Sequence, residues 1–67
     1  MFPPAKRPRE VREALGLPRI TVAVRAGVSE PSVKCFELDP EAGVTPPIRR
    51  KLEPVYAALA AELQARA

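Results

Sequence analysis

Side chains that could support catalysis are few in this 67-residue chain. There is no histidine, so the most common general base near neutral pH is missing. The three glycines are scattered and form no phosphate-binding loop, and no pair of potential metal ligands has a recognisable spacing. We therefore expect no enzyme activity, no metal and no cofactor.

Cys35 is the single cysteine, so no disulfide can form within the chain. This fits a reducing compartment, and we predict a cytoplasmic protein. Lys34 is the only cation nearby in sequence to stabilise a thiolate, which favours an unreactive exposed thiol over a redox switch. Prolines and cations interrupt the first residues, so no secretory signal is expected there. No apolar run approaches the roughly 20 residues that span a bilayer, and we expect no membrane association.

Basic side chains give the chain a net charge of +3 and a pI near 9.6. They form two clusters, Lys6 with Arg7 and Arg9, and Arg49 with Arg50 and Lys51. A modest excess of this kind permits nucleic-acid binding without requiring it. The first cluster is interpreted as an arm laid on DNA or as a disordered tail. The second is interpreted as a phosphate contact or as an ordinary solvated surface.

The elements that must position these side chains are predicted to be short helices, because apolar residues recur every three or four positions. We predict an all-α, compact four- to five-helix bundle in a single domain over residues 9–64. An extended basic arm over residues 1–8 precedes it, and residues 65–67 form a tail. The predicted helices are residues 8–15, 18–26, 29–38, 46–53 and 54–64. The last boundary follows from Pro54, which should kink or split the final helix.

Residues 20–24 are where local preferences conflict. The segment is β-branched and alternating, which favours a strand. No second strand is predicted elsewhere for it to pair with, and a lone strand is not stable. Pro18 before the segment and Gly27 after it suit the start and end of a helix. We therefore predict a helix here.

In and around the turn between the second and third predicted helices, each residue type suits the packing expected at its position. Ala23 is small enough for the third helix to cross closely, and Gly27 can adopt the positive φ of a tight turn. Val28 is the apolar residue that fills the space between the helices. Val33 and Phe36 form the inward face of the third helix, and Ser29 caps its start. Together these positions predict two helices crossing at a steep angle.

Residues 15–37 read LGLPRITVAVRAGVSEPSVKCFE, and this stretch resembles the helix-turn-helix of the phage repressor and Cro family, the lambda repressor-like DNA-binding domains. With the first helix, the resemblance covers about residues 9–37. It implies an ion pair between Arg12 and Glu37. The later sequence VTPPIRRKLEPVYAAL is similar to the third helix of the DNA-binding headpiece in the Lac repressor family.

This resemblance implies a transcription regulator that binds double-stranded DNA, with helix 29–38 in the major groove. Its base-reading positions correspond to Glu30, Pro31 and Cys35, and Arg19 would meet a phosphate. The full set of implied DNA contacts is Lys6, Arg7, Arg9, Arg19, Ser29, Glu30, Pro31, Ser32, Lys34 and Cys35.

Two further expectations concern partners. A carboxylate and a proline at base-reading positions also fit a protein-interaction module that keeps the fold without the DNA surface. Near the C-terminus, an apolar stripe is predicted to close the core, and any part left exposed could make a homodimer. Its members are Val55, Tyr56, Leu59 and Leu63.

Overall fold

The structure is a computed structural model that describes residues 7–66, and over that range it contains four α-helices and no strand. They are α1 (Pro8–Ala14), α2 (Arg19–Ala26), α3 (Glu30–Leu38) and α4 (Pro46–Arg66). The prediction of an all-α fold is confirmed for this part of the chain. Lys6 and the rest of the predicted arm up to it lie outside the described residues. None of the helices between residues 7 and 66 combines the length and the apolar composition needed to cross a membrane.

The ambiguous segment 20–24 lies in α2, so the helical prediction is confirmed. Val22 and Ala23 are buried in the core, whereas Ile20 and Val24 remain exposed. A helix places neighbouring residues 22 and 23 on one buried side, which strict strand alternation could not do. Tertiary burial therefore decides this segment against its β-propensity.

Gly27 ends α2 in the left-handed conformation, with φ 71° and ψ 35°. The next N–H, that of Val28, donates to the carbonyl of Ala23 at 3.0 Å and closes the helix end. Ser29 then caps α3, where its Oγ accepts a hydrogen bond from the Ser32 N–H at 3.4 Å. The turn between the two helices is thus three residues long, from Gly27 to Ser29, and α2 packs on α3.

Pro54 lies inside α4, which runs without interruption from Pro46 to Arg66. The predicted division into helices 46–53 and 54–64 is therefore wrong. Proline removes one intrahelical hydrogen bond, that to the carbonyl of Arg50. Leu52 and Tyr56, on either side of Pro54, are both buried in the same core, and this shared packing holds the helix together across the missing bond.

The core takes residues from all four helices. Its buried apolar members are Val11, Val22, Ala23, Val33, Phe36, Leu52, Tyr56, Leu59 and Ala60. Val55 and Leu63 are partly buried and pack against them. Tyr56 and Leu59 therefore close the core, as predicted for this apolar stripe, and neither is exposed for contact with a second copy of the chain.

A short loop connects α3 to α4 and turns on Asp39 and Gly43. The Asp39 carboxylate accepts the N–H groups of Glu41 and Ala42 at 3.2 and 3.0 Å, and the Gly43 N–H donates to the Asp39 carbonyl at 2.8 Å. A Cβ atom on Gly43 would lie 2.1 Å from the carbonyl oxygen of Cys35. This loop therefore packs directly on the backbone of α3, which only glycine permits.

We predict that Gly43→Ala lowers the free energy of unfolding by about 3 kcal/mol, because two backbone carbonyls must move to admit the methyl group. Gly27→Ala is the matched control. Its added Cβ would meet no atom within 4 Å, so only the left-handed φ is penalised, by about 1–2 kcal/mol. Urea denaturation followed by circular dichroism measures both. A Gly43→Ala chain at least as stable as Gly27→Ala would contradict the close approach.

Candidate nucleic-acid interface

The inner side of α3 is held by a buried ion pair. Glu37 near the end of α3 accepts from Arg12 of α1 in bidentate fashion, Nε to Oε2 at 2.6 Å and Nη2 to Oε1 at 3.0 Å. The two side chains are 4% and 10% exposed. The pair implied by the family resemblance is therefore present. The hydrogen bond to Glu37, together with its negative charge, raises the pKa of Arg12 despite the opposing effect of burial.

Tyr56 completes this cluster from α4. Its hydroxyl donates to Oε2 of Glu37, and its ring stacks on Phe36 with centroids 5.3 Å apart. The remaining guanidinium nitrogen of Arg12, Nη1, donates to the carbonyl of Leu17 at 2.8 Å. Among the described residues, no buried side-chain polar atom is left without a partner. We call Arg12, Glu37 and Tyr56 the buried cluster.

The hydrogen bond of Tyr56 was not predicted from the sequence, in which this residue belongs to an apolar stripe. The 3.6-residue spacing gives Tyr56 an inward direction but says nothing about its hydroxyl. A signal was present nevertheless, because a buried tyrosine usually needs a partner for its O–H. The carboxylate of Glu37, which the resemblance pairs with Arg12, was the available acceptor.

The opposite side of α3 is exposed over its first two turns. Glu30, Pro31, Lys34 and Cys35 are all exposed. The first turn of α3, capped by Ser29, lies at the positive end of the helix dipole. Of the contacts predicted on this side of α3, these four side chains are exposed, whereas Ser32 is partly buried.

One edge of this exposed side forms the wall of an open groove between α1, the start of α2, and α3. We call it the α1–α3 groove. It is lined by Arg7, Arg9, Glu10, Arg12, Glu13, Pro18, Arg19, Glu30, Lys34, Glu37 and Leu38. The basic residues Arg7, Arg9, Arg19 and Lys34 were predicted as contacts. The contributions of Glu10, Pro18 and Leu38 were not, because their places depend on how α1, α2 and α3 are arranged around the groove.

Two ion pairs neutralise part of the charge in this groove. Arg12 is paired with Glu37, and Arg9 is paired with Glu13 at 3.2 Å on the exposed side of α1. Three cations of the groove, Arg7, Arg19 and Lys34, take part in none of the ion pairs found between residues 7 and 66. Two carboxylates that line the same groove, Glu10 and Glu30, also belong to none of these ion pairs. The groove is therefore mildly basic.

The other edge of the exposed side of α3 is mostly apolar. Pro31 and Cys35 line a shallow depression completed by the loop after α3 and the start of α4. Its full lining is Pro31, Ser32, Cys35, Ala42, Gly43, Val44, Thr45 and Ile48. The outer surface of α3 thus has one charged edge and one apolar edge.

Some predicted contacts are differently placed. Ser29 and Ser32 are engaged with each other, with their Oγ atoms 2.9 Å apart, so their first role is to cap α3. The second basic cluster starts α4 and does not line the groove, and its Arg49 donates to the carbonyl of Glu41 at 3.0 Å. The structure therefore brings Arg19 and Lys34 together with the N-terminal cation Arg7, and leaves the second cluster apart.

No three histidine, cysteine, aspartate or glutamate side chains gather as a metal site within residues 7–66. Comparisons of the chain with protein-family models, with curated proteins and with solved structures find no match. What the chain binds is therefore inferred from the surface chemistry of α3 and the α1–α3 groove.

Burial, followed by the hydrogen bond to Glu37, raises the pKa of Tyr56 above its ordinary value. A proton held more tightly in the folded state stabilises that state fully below pH about 10, the pKa of an unfolded tyrosine. We predict that this contribution is lost as the pH rises above about 10.

Tyr56 is the only tyrosine and there is no tryptophan, so tyrosinate absorbance reports this residue alone. We expect tyrosinate to appear together with unfolding, as followed by circular dichroism at the same pH. In Tyr56→Phe, the melting temperature should fall less steeply above pH 10 than in the wild type. Tyrosinate formation near pH 10 in a chain that stays folded would contradict the buried position of this hydroxyl.

Proposed function

We propose that this chain is a repressor-type transcription regulator that binds double-stranded DNA by inserting α3 in the major groove. One observation carries the proposal: α3 is fixed on its inner side by the buried cluster, while its opposite side is exposed from Glu30 to Cys35. A helix held rigidly along one side and bare along the other is suited to enter a groove in a partner. α3 corresponds to the second helix of the helix-turn-helix that is predicted from the sequence.

The dimensions support this partner. Like any α-helix, α3 is about 10–12 Å in diameter with its side chains. The major groove of B-DNA is about 12 Å wide and admits one α-helix. The exposed N-terminal half of α3 would lie closest to the base edges, which is how the second helix of a helix-turn-helix meets DNA.

The charges along the α1–α3 groove support a phosphate backbone beside the inserted helix. Arg19 is the first residue of α2, where the positive end of the helix dipole adds to its own charge. Arg7 and Lys34 lie along the same groove. Contacts of this kind position a protein on the duplex and provide most of its sequence-independent affinity.

A second candidate function is a protein-interaction module. Large apolar side chains are exposed on α2 and at the end of α3, with Ile20, Val24 and Leu38 51%, 74% and 69% exposed. Glu30 adds a carboxylate that repels phosphates at the tip of α3. These features favour a protein partner. The dependence of DNA binding on salt concentration distinguishes this function from DNA binding.

We expect the chain to bind a random-sequence duplex with an affinity that falls steeply with salt, at a log–log slope of roughly −0.9 per phosphate contacted. Arg19→Ala should make that slope shallower by about one, because one phosphate contact is lost. Fluorescence anisotropy of a labelled duplex at several salt concentrations measures both.

Arg66→Ala is the matched control, since Arg66 is exposed at the end of α4 and does not line the groove. Its slope should equal that of the wild type. Equal slopes for Arg19→Ala and Arg66→Ala would remove the phosphate role of Arg19. Absence of duplex binding at low salt would refute the DNA-binding function and favour the protein-interaction module.

A further inference from the structure

The two edges of α3 differ in hydrogen-bonding capacity. Glu30 and Lys34 lie on the edge that faces the α1–α3 groove, while Pro31 and Cys35 lie on the edge that faces the apolar depression. Pro31 has neither an N–H nor a polar side chain. Strong hydrogen bonds to a base edge must therefore come from Glu30 and Lys34.

Glu30 and Lys34 form a matched acceptor and donor. They are four residues apart in a helix, so their Cβ atoms lie about 6 Å from each other on the same side. Both are exposed, and neither belongs to an ion pair within residues 7–66. Successive base pairs are about 3.4 Å apart, so the two side chains can reach a single base pair or two neighbouring ones.

The carboxylate of Glu30 restricts which base it can meet. A carboxylate only accepts hydrogen bonds, so it needs a donor on the base edge. In the major groove, adenine carries its N6 donor beside the N7 acceptor, and guanine and thymine offer acceptors only. Cytosine alone presents a donor, N4, with no acceptor of its own beside it. The partner guanine then presents O6 and N7, which are acceptors for the ammonium group of Lys34.

We infer that Glu30 and Lys34 together read a cytosine–guanine base pair, Glu30 at N4 of the cytosine and Lys34 at O6 and N7 of the guanine. This rests on the proposed DNA-binding function and names the base pair that its recognition helix selects. The carboxylate of Glu30, unfavourable beside phosphates, thereby becomes the source of discrimination. Changing this pair to any other should weaken binding by about tenfold or more.

Selection of bound duplexes from a random pool, followed by sequencing, tests the inference. The wild-type chain should enrich a cytosine–guanine pair at one position. Glu30→Gln should enrich adenine there instead, because an amide matches adenine N6 and N7 as donor and acceptor together. Lys34→Met should lower the affinity for the selected duplex about tenfold.

Glu41→Gln is the matched control, because it removes the same charge from an exposed side chain that lines neither edge of α3. Its pool should equal that of the wild type. A wild-type pool without this pair, or a Glu30→Gln pool that keeps it, would overturn the inference and leave the DNA-binding proposal standing. A wild-type chain that retains no duplex at low salt would overturn both.

Discussion

The carboxylate of Glu37 is buried at the junction of three helices, and the position of α3 depends on it. An ion of this size is costly to remove from water unless its oxygens are hydrogen-bonded. Here one oxygen meets Arg12 of α1, and the other meets both Arg12 and Tyr56 of α4. A shift of α3 against either neighbour would break at least one of these bonds and leave charge unpaired in the core.

Because Glu37 is fixed in the core, α3 has one side that packs against the other helices and one side that is exposed. The core contacts of Val33 and Phe36 lie on the same inner side as Glu37, and all three are buried. On the opposite side, Ser29 and Ser32 cap the helix. The exposed side chains of the first two turns take no part in the core. A domain of this size has a thin core, so a directional polar cluster adds a precision that apolar contacts alone supply poorly.

The sequence predicted the features that depend on local chemistry. Gly27 and Ser29 mark the turn because positive φ and helix capping are properties of single residues, and the structure has both as expected. Pro54 misled the prediction, because burial on either side of it outweighs the lost hydrogen bond. The hydroxyl of Tyr56 and the place of Leu38 in the groove depend on packing between distant segments, which periodicity does not encode. The reading of DNA by α3 stays a prediction from pattern and surface chemistry.

A double-mutant cycle between Arg12 and Glu37 tests most directly whether the buried cluster holds α3 in place. Arg12→Met keeps the packed stem of the side chain and Glu37→Gln keeps an acceptor for Tyr56, so the cycle isolates the charge pair. Unfolding by urea in a stabilising osmolyte should give about 3 kcal/mol for each single change and a coupling of about 2 kcal/mol. The same cycle on the exposed Arg9 and Glu13 pair should give a coupling below about 0.5 kcal/mol. A coupling between Arg12 and Glu37 as small as that of the exposed pair would contradict the account.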